Sequence, residues 1–245
     1  MHWTVLIPLK PLARGKTRLA DTAGDGVRPG LVLALAQDTV AAAGACPCVG
    51  TVVVVTDDAR AGRELAALGA RIIPDTPGAG LNAALAHAAA RVRDCHPHTA
   101  LAALNADLPA LRSAELTRVL TAAGEVPRAF LPDAAGTGTT LLTADPRSPL
   151  DPAFGGASRA RHRALGAVEL TLSGVDSVRL DVDTGDDLRA ALALGVGPHT
   201  ARAAARLFIS DLAGSADGSR RTGRGVAPGE DRGAGGPPAD PTAAV

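Results

Sequence analysis

Apolar residues along the chain gather in two patterns. Unbroken runs of strand length, TVLIPL (4–9), TVVVVT (51–56), RIIP (71–74) and ALAAL (100–104), predict strands buried on both faces, because a strand with one wet face would alternate. Longer mixed segments stand between them. PGLVLALAQDTVAAAGA (29–45), ARAGRELAAL (59–68) and LNAALAHAAARVRD (81–94) predict helices, and SAELTRVLTAAG (113–124) predicts another after the ALAAL run. Asp58 and Ser113 are candidate N-caps for the helices they precede or open. Strand and helix in regular succession predict an α/β fold built on a mostly parallel sheet with helices on both faces.

After residue 125 the rhythm shortens. RAFLPD (128–133) and TGTTLLTA (137–144) read as extended pieces, SRARHRALG (158–166) as a basic helix, and AVELT (167–171) and VRLDVD (178–183) as strands. TGDDLRAALALG (184–195) and PHTARAAARLF (198–208) close the pattern as helices. From Asp211 onward, Gly, Ala, Pro, Asp and Arg follow one another without apolar periodicity, and such a segment cannot bury enough surface to offset the entropy of ordering. The expected organisation is one domain over residues 1–210 and a disordered tail over 211–245.

Composition narrows the function classes. With 245 residues and 46% hydrophobic content the chain can bury a sizeable core, and its net charge of +0 gives no electrostatic case for nucleic acid or an anionic membrane. The first apolar run, WTVLIPL, is too short for a signal segment, and no run of about 20 apolar residues exists to span a bilayer. A cytoplasmic protein is expected. Cys46, Cys48 and Cys95 are an odd number, which fits reduced thiols, and neither CPC nor CHPH has the spacer of paired zinc ligands.

Lysine usage points to chemistry. Lys10 and Lys16 are the only lysines, the rest of the 25 basic Lys and Arg residues being arginine. Arginine replaces lysine at a merely solvated site, but not where a compact, mobile ammonium is required. GKT at 15–17 imitates a phosphate-binding P-loop, yet that motif requires glycine where this chain has Lys10. There remains a loop carrying Lys10, Arg14, Lys16 and Arg18 at the carboxyl end of the first strand, where ligands of parallel α/β sheets bind. These cations suit a triphosphate.

Carboxylates form the second group. Asp107 ends the ALAAL strand just before Pro109, a position in the crevice above the sheet, although capping of the next turn is an ordinary role for such an Asp. Asp181 and Asp183 alternate with Leu180 and Val182 and would share one strand face, where like charges call for a cation. The three suit Mg²⁺, a hard ion that takes oxygen ligands and keeps water and phosphate in its shell. Asp186 and Asp187 fit the N-terminal turn of a helix. Asn82, near a helix start after PGAG, can face a purine edge or cap its helix.

IPLKPLARGKTRLA, LNADLPAL, GTGTTLL, FGGASRARHRALGAVEL and LDVDTGDDLRAALALGVGPHTARA occur together and in order. In this the chain resembles the phosphoenolpyruvate or 2-phospho-L-lactate guanylyltransferases of coenzyme F(420) biosynthesis, from residue 3 to about 206. The resemblance implies a Rossmann-like, GT-A type nucleotidyltransferase fold acting on GTP with Mg²⁺. It places the metal on Asp107, Asp181 and Asp183, and the phospho-acid on Thr139, Gly155 and Ser158, with Thr140 an alternative to Thr139. Lys10, Arg14, Lys16 and Asn82 would hold the nucleotide, and Lys10, Lys16 and Arg18 would stabilise departing diphosphate. Arg159, Arg161, His162 and Arg163 would add positive charge, His162 through a phosphate contact. The partners implied are GTP and a small phosphorylated three-carbon acid, with handover of the product to the next enzyme of the pathway. Two other readings stay open: a sugar-phosphate or molybdenum-cofactor nucleotidyltransferase of the same fold, and a non-catalytic nucleotide-binding module.

Overall fold

A computed structural model describes residues 2–14, 19–76 and 78–207. Lys16, Arg18 and the expected tail at 211–245 lie outside the described residues, as does the side chain of Arg14. The apolar runs become strands β1 (Trp3–Pro8), β2 (Val49–Val55), β3 (Arg71–Ile73) and β4 (Ala100–Leu104). Helices α1 (Ala20–Gly44), α2 (Ala59–Ala66), α3 (Leu81–Cys95) and α4 (Ser113–Ala123) alternate with them. β5 (Arg128–Pro132), β6 (Thr139–Ala144), α5 (Ser158–Ala164), β7 (Val168–Glu169), α6 (Asp176–Arg179) and α7 (Gly185–Leu194) follow. Residues 198–207 form the last described helix, α8.

The seven strands make one sheet in the order β3-β2-β1-β4-β6-β5-β7. β1 pairs in parallel with β2 and β4, β2 with β3, and β5 with β7, while β6 runs antiparallel to both its neighbours. Alternation decides which side chain goes to which face. Val5 and Ile7 of β1 pack with Val40 of α1, Leu65 of α2 and Leu116 of α4, whereas Leu6 packs on the other face with Leu85 and Ala88 of α3. Leu6 and Ile7 are fully buried, and each such side chain contributes roughly 1.5–3 kcal/mol. Helices on both faces cover the sheet, as the pattern predicts.

Chain order then creates a gap. From β1 the chain moves outward to β2 and β3, and returns across β1 to lay down β4 on its other side. The connections leaving β1 and β4 therefore diverge, and the carboxyl ends of these adjacent strands open a crevice where a ligand fits.

Local signals were obeyed unevenly. Asp58 caps α2, accepting from the amides of Arg60 and Ala61, and the Ala61 bond is the main reason its carboxyl is held below the usual range. Ser113 does not cap α4: it is the first helical residue, behind Arg112 as N-cap. The first helix begins at Ala20 and carries Pro29 inside, not at its start. Proline removes one donor there, and the remaining turns keep theirs.

The expected strand at 178–183 is absent. Its first part is α6, pinned by Ser177, whose amide and hydroxyl both donate to Glu115, and by Arg179, which donates to the carbonyls of Pro132, Leu170 and Leu172. The Val182 amide bonds the Asp107 carbonyl in a loop and not in a sheet ladder. Val182 is fully buried with Leu31, Leu35 and Leu188, which anchors this loop under the crevice.

Candidate active site

Above β1 and β4 lies a cleft of about 540 Å³, within the range of small-molecule sites. Pro8, Leu9 and Lys10 form one wall directly after β1, and Asn105, Ala106 and Asp107 form the next directly after β4. Asp133, Gly138 and Thr139 enter from the β5–β6 connection, Phe154, Gly155, Gly156 and Ser158 from the segment that opens α5, and Asp181 and Asp183 from the loop before α7. Five distant stretches thus meet in one place.

Each acidic side chain is positioned by its backbone. The Asp107 turn is held on three sides: Val182 N–H donates to the Asp107 carbonyl, Thr39 Oγ1 accepts from the Leu108 amide at 3.0 Å, and Gly197 N–H donates to Pro109. Because Val182 is driven into the core, Asp181 and Asp183 on either side of it line the cleft, although no strand is present. Asn105 Nδ2 lies 3.4 Å from Asp181 Oδ2 and orients that carboxylate. Asn105 was not singled out by sequence reasoning. Its signal was its place directly after the ALAAL strand and two residues before Asp107. Downstream, Thr184 and Asp187 close a capping box on α7, and Asp186 pairs with Arg189.

Among the described residues no three His, Cys, Asp or Glu side chains already form a metal cluster. Asp107, Asp181 and Asp183 nonetheless supply only oxygen donors to one open cleft, which Lys10 also lines. Such a donor set fits a hard cation that completes its shell with water and phosphate.

A further part of the cleft lining is built around small residues. Gly155 and Gly156 have φ of 94° and 46°, left-handed values that admit glycine readily. Asp133 holds the preceding turn by accepting from the amides of Thr137 and Gly138, and a Cβ on Gly138 would stand 2.3 Å from its carboxylate. Thr139 and Ser158 both line the cleft. Thr140 does not, and its buried hydroxyl has no partner among the described residues. The structure thus favours Thr139 of the two threonines.

Several expected contacts go elsewhere. Asn82 accepts from the Phe154 amide at 2.8 Å and donates to the Phe154 carbonyl at 3.2 Å, so both halves of its amide hold the FGG segment and not a base edge. Nor does it cap α3, whose N-cap is Gly80. Arg159 and Arg163 both pair with Glu169, and Arg159 also donates to Gly136, which withdraws their charge from the cleft. Those hydrogen bonds, Arg159's first, keep the Glu169 carboxyl below its usual range. His162 is wholly buried, with Nδ1 2.9 Å from Thr139 Oγ1 and Nε2 3.0 Å from the Ala153 amide, so it makes no direct phosphate contact. Burial first, then the charges of Arg128 and Arg161, lower its pKa to about 4.

An α/β sheet whose switch-point cleft is lined by a lysine, three carboxylates and a glycine-rich turn matches the class of nucleotidyltransferases. Solved structures agree on the fold: a nucleotide-diphospho-sugar transferase from Desulfovibrio desulfuricans aligns with TM-score 0.56 at 15% identity, over 79% of this chain and 97% of its own. A 4-diphosphocytidyl-2C-methyl-D-erythritol synthase aligns with TM-score 0.54 at 13% identity, over 79% and 99%. Sequence is more specific. Residues 3–219 match the family described as guanylyl transferase CofC like, and the chain belongs to that family. The phosphoenolpyruvate guanylyltransferase of Streptomyces coelicolor is 71% identical, over 86% of this chain and 99% of the relative. Those of Thermomonospora curvata and Frankia casuarinae are 57% and 45% identical, over 84% and 86% of this chain and 90% and 80% of theirs.

No helix among the described residues is long and apolar enough to cross a membrane.

Proposed function

We propose that the protein transfers GMP from GTP to phosphoenolpyruvate and releases diphosphate, a step of coenzyme F(420) biosynthesis carried out in the cytoplasm. The carrying observation is the convergence on one cleft of Lys10, of Asp107, Asp181 and Asp183, and of Thr139, Gly155 and Ser158. A phosphate oxygen of the acid attacks the α-phosphorus of GTP in line; the new P–O bond forms as the bond to the β-phosphate oxygen breaks. A phosphate monoester is already an anion at neutral pH, so no side chain has to remove a proton. That agrees with a cleft lined by no histidine among the described residues.

Asp107, Asp181 and Asp183 would hold Mg²⁺, which when bound neutralises charge on the reacting phosphates. Asn105 keeps Asp181 oriented for that task. Lys10 lines the cleft just after β1 and offsets charge on the leaving diphosphate, with Arg14, Lys16 and Arg18, which follow it in the sequence, as its partners in this reading. Thr139, Ser158 and the glycine backbone of residues 155 and 156 receive the acid. Its product is an activated diphosphate diester, suited to handover to an enzyme that transfers the phosphorylated acid to an acceptor and releases GMP.

The test is mass detection of a GMP adduct after incubation with GTP, Mg²⁺ and, separately, phosphoenolpyruvate, 2-phospho-L-lactate, 3-phosphoglycerate and a sugar 1-phosphate. An adduct with phosphoenolpyruvate ahead of the others is expected. Adducts formed only with the sugar phosphate would overturn the reading.

A further inference from the structure

His162 sits outside the cleft yet touches two of its walls. Its ring bridges Thr139 at the start of β6 and Ala153 just before the FGG segment, and lies edge-on to Phe154 with centroids 5.1 Å apart. The bridge is directional. A backbone N–H can only donate, so the Ala153 bond requires a lone pair on Nε2. A neutral imidazole carries one proton, which must then be on Nδ1, and Nδ1–H must donate to Thr139 Oγ1. A ring wholly buried beside Arg128 and Arg161 stays neutral at physiological pH.

The consequence falls on Thr139. A hydroxyl has one proton to give, and an oxygen that already accepts from His162 keeps that proton for another partner; among the described residues none other is bonded to it. With the opposite tautomer Thr139 would donate inward and turn lone pairs to the cleft, against any anion there. We infer that His162 is a positioning residue that fixes the polarity of the Thr139 hydroxyl, making it a hydrogen-bond donor to an anionic oxygen of the phospho-acid. His162 also ties the Thr139 strand to the FGG segment through Ala153, so both parts of the acid subsite are set by one side chain. This role rests on the acid binding at Thr139, as proposed above.

Two measurements test it. In the ¹⁵N-labelled full chain at pH 7, long-range ¹H–¹⁵N spectra should show His162 as the neutral Nδ1–H tautomer; an Nε2–H ring or an imidazolium would overturn the inference without any variant having to fold. In steady-state kinetics, His162→Leu should raise the KM for phosphoenolpyruvate on the order of ten- to a hundredfold, as expected for a lost bond to a charged group, with the KM for GTP changed less than about twofold. His162→Asn, which keeps an N–H donor near the Nδ1 position, should fall between Leu and the parent. In a Thr139→Val background the same His162 substitutions should raise that KM much less, leaving only what the Ala153 tie contributes. Equal effects in both backgrounds, or equal rises in both KM values, would overturn the role. A parent protein that makes no adduct with phosphoenolpyruvate would instead overturn the substrate reading, and the tautomer measurement would still stand.

Discussion

Asp107 and Lys10 carry opposite charges into one cleft from neighbouring strand ends, and each makes a separate prediction. Asp107→Asn keeps volume and removes the charge, so the fold should melt as the parent does while turnover falls by on the order of a hundredfold or more. Activity within a few fold of the parent would remove Asp107 from the reaction. Lys10→Arg keeps the charge and changes its shape, and should still raise the KM for GTP or lower kcat; unchanged constants would return Lys10 to ordinary solvation. His162 makes a prediction about stability. Its folded pKa of about 4 lies below the ordinary 6.5, so between these values the unfolded chain binds the proton more readily than the native one. The stability this neutral ring confers is complete above pH 6.5 and is lost as pH falls towards 4. Thermal midpoints measured from pH 7 to 4.5 should therefore decline, and more steeply than in His162→Asn. Parallel curves would show that His162 does not supply the slope.

At the scale of elements, α8 is held from outside itself. Asp38, buried within α1, accepts from the amides of His199 and Thr200 at 3.1 and 2.7 Å and so caps the start of that helix. Gly197 makes the approach possible: a Cβ there would stand 2.4 Å from the Asp38 carboxylate. Gly197→Ala should cost about 1–3 kcal/mol through overpacking, and Asp38→Ala roughly 0.5–2 kcal/mol through loss of the cap. The double variant should cost less than the sum, since removal of the carboxylate also removes the clash. Additive losses in denaturant melts would refute the coupling. The Asp58 cap was legible in TDD because a side chain and its own helix lie side by side in sequence. The Asp38 cap was not, because its acceptor and donors are about 160 residues apart. The missing strand at 178–183 has the same origin: alternation of Leu180, Asp181, Val182 and Asp183 shows which side chains point inward, but a strand also needs a neighbour, and the Val182 amide found the Asp107 turn instead.

For the whole molecule, the segment after residue 210 lacks the apolar periodicity that the core uses throughout. A chain ending at Ser210 should melt at the temperature of the full chain, and a clearly lower midpoint would show that the tail contributes to the fold. The sequence by itself determined the alternation of strands and helices, because burial imposes its period on neighbouring residues. It also determined the types of chemistry, since lysines kept against an arginine bias and carboxylates at strand ends are visible residue by residue. Tertiary structure decided what those residues face. Only the packed chain shows that Asn82 is engaged by Phe154, that Arg159 and Arg163 share the carboxylate of Glu169, and that His162 is buried against Thr139. The physical reason is that a hydrogen bond or an ion pair satisfies a polar group wherever its partner comes from, and in this sheet the partners come from strands and loops that the order of the chain keeps far apart.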